Sequence, residues 1–492
     1  MSAYKALERR ASRLAALGHA LSVLSWDRQV VMPRGANPGR GEALGELEVM
    51  AHELVADPAV AELIAEAEGE ALAEPWQRAN LEEMKRAHRR AVAVPGELVG
   101  ALARATSASE MTWRSARPAG DFKALEPELA EVVRLTREVA RAKGDALGLG
   151  PYDACLDDFQ PGLRGEAIAP VFERLAGELP PRIERFLAEQ RQPVRPTTRF
   201  AALEQRSIAT ALMERLGFDF ERGRLDESAH PFCGGNPDDI RMTTRWDESD
   251  VASGLMGVLH ETGHALYEAG LPAEWRHQPV GRSGGMALHE SQSLLVEMQA
   301  CRSPAFIWFL GERLREAFGD EPALAPENLE ALYHHVERGL IRVDADEVTY
   351  PLHIILRWRL ERAMIEGELE VADLPDAWNA GMKELLGVMP PDHATGCLQD
   401  IHWPAGAFGY FPSYSLGALL AAQLFKAAEE AIPELDGRLR RGDFRSLLDW
   451  LRTHVHGRAR SVSFEQLVED ATGAPLGTDA FLAHLDARYP AQ

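Results

Sequence analysis

The sequence predicts a mainly α-helical protein: one large helical body with a small β-sheet beside the helix that carries a His-Glu-x-x-His motif. Three observations carry this reading. Long runs rich in Ala, Leu, Glu and Arg, the residues that lose least in a helix, fill most of the 492-residue chain. The alternation of a half-buried strand is confined to one stretch, 224–246. No internal repeat, low-complexity tract or long linker divides the chain, so residues 1–492 read as a single domain, 1–216 a helical scaffold and 217–492 the sheet, the motif and further helices.

In order, residues 3–25 form an amphipathic helix in which Leu7, Leu14, Leu17, Leu21 and Leu24 recur at helical spacing. The basic start Lys5, Arg9, Arg10 and Arg13 imitates a signal peptide, but Glu8 and His19 interrupt the pattern and no small-residue cleavage site follows. The stretch Trp26 to Gly35 is expected to break this helix. Helical patterns resume over 39–55, 58–72, 75–92, 95–115 and 124–147, the last set off by Pro118-Ala119-Gly120 and Gly148-Leu149-Gly150-Pro151. Two more helices fit 164–216, joined by the Pro- and Thr-rich link 192–198. Ile240, Met242, Thr244 and Trp246 then alternate with Arg241, Thr243 and Arg245 after a Gly-Gly-Asn-Pro turn, a strand placed to hold an extended peptide. Later helices are expected at 305–318, 326–342, 349–366, 373–387, 413–430, 443–453 and 463–471.

Composition sets bounds on function. Lys and Arg total 53 against 76 Asp and Glu, a formal charge of -23, which argues against a general nucleic-acid or anionic-membrane surface. No apolar run reaches membrane-spanning length. Cys155, Cys233, Cys301 and Cys397 are widely spaced, as expected of free thiols in a reducing cytoplasm.

The chemistry centres on Val258-Leu259-His260-Glu261-Thr262-Gly263-His264-Ala265-Leu266. Asp250 or Ser249 can cap a helix here, and Gly270 followed by Leu271-Pro272 can end it. Four residues apart on a helix, His260 and His264 aim two imidazoles at one point, the outline of a metal site. Catalytic zinc needs a third protein ligand. A further His six residues on is excluded, because that position is Gly270. A Glu on the next helix remains: Glu290 in the run 287–297, with Glu297, two turns on, as competitor. Glu261, flanked by both histidines, suits a general base. Arg342 and Arg241 are candidates to recognise a carboxylate through a two-pronged guanidinium. Were its segment helical, Arg342 would be oriented by Asp346 four residues on, whereas Arg241 has Asp239 to brace against.

Several motifs now line up in order: His230-Pro231-Phe232, Asp239-Ile240-Arg241-Met242-Thr243, His260 to His264, His289-Glu290-Ser291, Ile341-Arg342-Val343-Asp344-Ala345-Asp346, and Gly396-Cys397-Leu398-Gln399-Asp400-Ile401-His402-Trp403. This set resembles the M32 metallocarboxypeptidases, typified by thermostable carboxypeptidase Taq. The resemblance extends to Trp26-Asp27 with Met32-Pro33, Pro151 to Ala154 and His454 to Gly457, and so spans most of the chain. It implies removal of single C-terminal residues from peptides with broad specificity, one divalent metal per chain (zinc, or cobalt), a largely helical fold with a deep groove walled in part by 1–216, and a homodimer. It also favours Arg342 as the carboxylate anchor and places His402 and His230 near substrate carbonyls. Tyr410 resembles the transition-state tyrosine of related helical peptidases, with Tyr414 the close alternative. Two other readings stay open: an oligoendopeptidase of similar helical architecture, and a helical binding protein with a vestigial metal motif.

Overall fold

The protein is described here as a computed structural model covering residues 2–228 and 231–489. Its helices follow the apolar periodicity. At the N-terminus, α1 (Ala3–Val30), α2 (Asn37–Ala56), α3 (Pro58–Glu68) and α4 (Pro75–Ala93) precede α5 (Gly96–Ala119) and α6 (Phe122–Leu147). Tyr4, Leu7, Val60, Ile64, Leu81 and Met84 bury a small apolar cluster among α1, α3 and α4. The main core begins further on, at α6, α7 (Pro151–Phe159), α8 (Gly165–Glu189) and α9 (Ala202–Leu216).

Two expectations in this half are corrected. The first helix does not break at Trp26 but runs to Val30, because Trp26 is buried and two guanidinium groups cover its ring, Arg224 at 5.0 Å and Arg241 at 4.3 Å. The short α7 escaped the periodicity reading; its Pro151 sits in the first turn, where a missing N–H does no harm.

Three strands follow: β1 (Gly223–Glu227), β2 (Phe232–Asn236) and β3 (Asp239–Thr244). β3 is central, parallel to β1 and antiparallel to β2. The side-chain oxygen of Asn236 accepts from the Asp238 and Asp239 amides and closes the hairpin. The strand ends at Thr244, so Trp246 lies beyond it.

The core of the second half is α10 (Val251–Gly270), α11 (Met286–Leu294), α12 (Pro304–Phe318), α13 (Pro326–Tyr333), α14 (Tyr350–Glu366), α15 (Leu374–Leu386) and α16 (Pro412–Ala431), closed by α17 (Leu435–Leu439), α18 (Arg445–His454), α19 (Phe464–Thr472) and α20 (Asp479–Arg488). Asp250, not Ser249, caps α10 by accepting from the Ser253 amide at 3.1 Å. Leu255, Val258, Leu259 and Leu266 are all buried, each contributing about 1.5–3 kcal/mol. The helix expected over 326–342 stops at Tyr333, and Arg342 stands in a single 3₁₀ turn. Asp346 therefore does not meet Arg342; it accepts from the Val348 and Thr349 amides and the Thr349 hydroxyl.

Glu361 ties α14 to α7 and to the loop before α16. Fully buried, it accepts from Tyr152 Oη at 2.7 Å, Trp403 Nε1 at 3.1 Å and the Gly409 amide at 3.2 Å. Burial pushes its pKa from 4.5 up to about 8, against the three donors, which favour the charged form. The folded protein thus holds a proton that the unfolded chain releases, and the associated stability, complete below about pH 4.5, is lost as pH rises through about 8. Glu361→Gln is expected to flatten the fall in melting temperature between pH 5 and pH 8 in buffered thermal scans, on the order of the unfolded and folded values that bound the window; an unchanged slope would remove Glu361 as its source.

Candidate metal centre

On α10 the His260 and His264 rings lie on one face with centroids 4.9 Å apart. The following helix, α11, packs against α10 and delivers Glu290 to the same space. One ligand atom from each of His260, His264 and Glu290 lies within 4.8 Å of the others, and His264 Nε2 is 3.5 Å from Glu290 Oε2.

This meeting depends on two glycines. A Cβ on Gly263, between the two histidines, would stand 2.6 Å from the Gln292 carbonyl oxygen and from Ser293 Cα on α11. On the opposite side, a Cβ on Gly417 of α16 would stand 2.7 Å from Glu290 Cβ. α11 is thereby clamped between α10 and α16, its backbone against Gly263 and the root of the Glu290 side chain against Gly417. Gln160 supplies the cap that α11 lacks: its Oε1 accepts from Ala287 N at 3.0 Å and Leu288 N at 3.4 Å, and its Nε2 donates to Gly284 O at 2.9 Å.

Past Leu294, α11 widens into a π turn over Leu295–Ala300, a form often found at functional sites. Glu297 lies in it and does not join the triad. It stands behind His260, Oε2 2.9 Å from His260 Nδ1, with Oε1 accepting from Arg302 Nη2 at 2.5 Å. The carbonyls of Met298 and Gln299 accept from Arg488 of α20, and Arg488 and His484 both pair with Glu347. His264 is also held from behind, Nδ1 3.1 Å from the His289 carbonyl oxygen. Both rings therefore keep Nε2 for the shared space, the arrangement metal-binding imidazoles require.

The electrostatics fit a cation. Burial disfavours a charged His260, but Glu297, Glu290 and Glu261 overcome it and push its pKa up to about 10. A field that strong in favour of positive charge suits a divalent ion on the two nitrogens and one carboxylate oxygen. His264, buried and beside two other imidazoles, is pushed well down and keeps its lone pair. Burial lifts Glu261 to about 7, with His260 opposing and Glu290 reinforcing.

A second cluster borders the triad. Arg342, 7% exposed, donates from Nε at 3.0 Å and Nη2 at 2.8 Å to Asp400 Oδ1. Asp400 Oδ2 accepts from the fully buried Arg357 at 2.7 Å. Burial would raise the Asp400 pKa, but the two guanidinium groups hold it well below the usual carboxylate range. Two cations share one anion, which leaves an excess positive charge. The Arg342 guanidinium lies 4.9 Å over the Tyr414 ring; Tyr414 Oη is 3.2 Å from His402 Nε2, and Tyr410 packs 5.1 Å from Tyr414. Burial and the Arg357 and Arg342 charges, against the pull of Asp400, leave His402 at about 4. Burial raises the pKa of both tyrosines and the Glu290 charge adds to the rise, a sign of how near they stand to the triad.

Of the expected site residues, Arg342, His402, Tyr410 and Tyr414 gather beside His260, Glu261, His264 and Glu290. Arg241 does not join them through any contact described; its fork grips Asp239 at 3.0 and 2.9 Å. His230 lies outside the described residues. Sequence reasoning missed Arg357 and the role of Asp400, although Asp400 sat in a quoted motif. It also missed Tyr350, whose ring meets Tyr414 edge-on at 6.1 Å and whose hydroxyl feels the Arg342 charge.

A helical fold that holds two histidines of one helix and a glutamate of the next around one point defines a class, the metal-dependent hydrolases of the His-Glu-x-x-His type. Comparison with known proteins narrows it. The family profile of the carboxypeptidase Taq (M32) metallopeptidases matches residues 6–489. Thermostable carboxypeptidase 1 of Thermus thermophilus is 38% identical, the match covering 98% of this chain and 97% of that protein. The structure of metallocarboxypeptidase 1 of Trypanosoma cruzi superposes with a TM-score of 0.96 at 37% identity, covering 99% of both chains. The M32 carboxypeptidase of Deinococcus radiodurans gives 0.95 at 33%, covering 99% and 98%. The chain belongs to the M32 metallocarboxypeptidase family and is a hydrolase of peptide bonds.

The helix clamp makes a direct prediction. Gly417→Ala should force α11 off α16, cost about 1–3 kcal/mol of stability and weaken metal binding, read by thermal unfolding and chelator competition. Gly257→Ala on α10, where a Cβ meets nothing within 4 Å, is the neutral control.

Proposed function

We propose that the chain removes single amino acids from the C-termini of peptides with broad specificity, using one divalent metal, zinc foremost with cobalt as the substitute. The observation that carries this reading is the excess positive charge of the Arg342–Asp400–Arg357 cluster beside the metal triad, in a chain of net charge -23. A free α-carboxylate supplies the anion that this cluster lacks, and the Arg342 guanidinium, already oriented by Asp400, is the group to receive it.

His260, His264 and Glu290 would hold the metal, which would supply Lewis acidity toward water and the scissile carbonyl. Glu261, lifted to about 7 by burial, takes the proton of the attacking water and passes it to the leaving amine. Tyr414, bonded to His402 and covered by Arg342, belongs with the carboxylate; Tyr410 is then the hydroxyl for the developing oxyanion. His402 donates as a neutral imidazole. β2 is an edge strand that packs against α10, so its free edge can pair with an extended peptide beside the site. Arg241 braces that sheet, and His230 just before β2 would reach a substrate carbonyl. We also propose that the chain works as one peptidase domain and as a homodimer, as the family resemblance implies, and in the cytoplasm, which suits its four free thiols.

The testing experiment is a mass-spectrometric time course on one peptide and its C-terminal amide, with chelated enzyme before and after zinc or cobalt is restored. One-residue steps from the free acid alone, and only with metal, are expected; internal fragments from both peptides would identify an oligoendopeptidase instead. Arg342→Ala should lower kcat/KM for the free acid by about 30-fold or more, given the roughly 2–5 kcal/mol that truncating one partner of a buried charge pair costs. Glu261→Gln should keep full metal occupancy and lose turnover by about 10²–10⁴-fold, the usual contribution of a general base.

A further inference from the structure

His289 and Glu268 stand beside the triad without a task in the reaction. Glu268 follows His264 by one turn of α10, so His260, His264 and Glu268 share a face. His289 precedes Glu290 on α11 and turns away from the shared space. Its Nδ1 is 2.7 Å from His264 Nδ1 and its Nε2 is 3.0 Å from Glu268 Oε1. Its ring centroid lies 4.5 Å from that of His264 and 5.4 Å from that of Tyr267, whose hydroxyl is fixed by the Gly284 amide at 2.9 Å.

Two neutral imidazoles carry two hydrogens between them, and the acceptors at the ends of this chain decide where those go. The His289 carbonyl oxygen, 3.1 Å from His264 Nδ1, only accepts. The Glu268 carboxylate likewise only accepts. A hydrogen on His264 Nδ1 and one on His289 Nε2 satisfy both ends and leave a lone pair on His289 Nδ1 to meet the His264 N–H. Any other placement sets two hydrogens or two lone pairs against each other. The same placement leaves His264 Nε2 bare toward Glu290.

We propose that Glu268 and His289 are positioning residues that lock His264 in its metal-binding tautomer and orientation, and so set the affinity of the site. This rests on the reading that His260, His264 and Glu290 hold the metal. Partners of this kind usually alter metal affinity about 10–100-fold.

The test is competition for zinc between apo-protein and a chromophoric chelator, with the visible spectrum of the cobalt-loaded protein as a report on ligand geometry. His289→Leu and Glu268→Ala should weaken zinc binding about 10–100-fold and alter the cobalt spectrum. His289→Asn, whose Oδ1 stands near the place of Nδ1, and Glu268→Gln, which keeps an acceptor, should recover most of the loss. Should His289→Leu not fold, the two Glu268 variants make the same comparison from the far end. Wild-type zinc affinity and cobalt spectrum in Glu268→Ala, with His264→Ala having lost the metal, overturn the proposal alone. Undiminished binding in His264→Ala overturns the metal reading beneath it.

Discussion

The structure depends on how closely three helix backbones can approach. α10 offers two imidazoles, but a catalytic site requires a third ligand from another element, and that element must come nearer than side chains normally permit. Gly263 and Gly417 remove the obstacle on both flanks of α11. Such contacts leave little room for relaxation, because a packed interior yields by shifting whole elements rather than single atoms. The glycine inside the His-Glu-Thr-Gly-His run is therefore as much a part of the metal geometry as its neighbours.

Charge is distributed with similar economy. Around the triad the unpaired field is negative and draws a cation; around Arg342 it is positive and suits a carboxylate. Asp400 separates the two by consuming one of two guanidinium charges rather than both. Were it paired one-to-one, the cluster would be neutral and already satisfied. Arg357, with no exposed surface, holds Asp400 from behind and adds its charge to the field that keeps His402 neutral.

Much of this was legible in the chain, and the omissions have physical causes. The periodic helices, the sheet and its turn, the Asp250 cap and the pairing of His260 and His264 follow from local rules of spacing and capping. Glu290 could be narrowed to two carboxylates, and what separates it from Glu297 is a π turn that no simple helical period anticipates. Arg342 was recognisable as a cation of interest, but its partner lies 58 residues away, and nearer Asp346 is occupied by its own turn. The helix expected to run on to 342 fails for a related reason, since the segment is spent satisfying long-range partners. Trp26 misled because an aromatic amid polar residues resembles a boundary when the arginines that cover it are about 200 positions distant.

The π turn that carries Glu297 leaves two carbonyls that only Arg488 satisfies among the contacts described, at a separation of 190 residues for Met298. In time rather than space, this orders the making of the molecule. A chain emerging from the ribosome presents both histidines and Glu290 long before α20 exists. The buttress behind His260 is completed only when that helix docks, so once Glu290 is made the nascent chain carries its hydrolytic groups for the rest of its synthesis without the frame that fixes them.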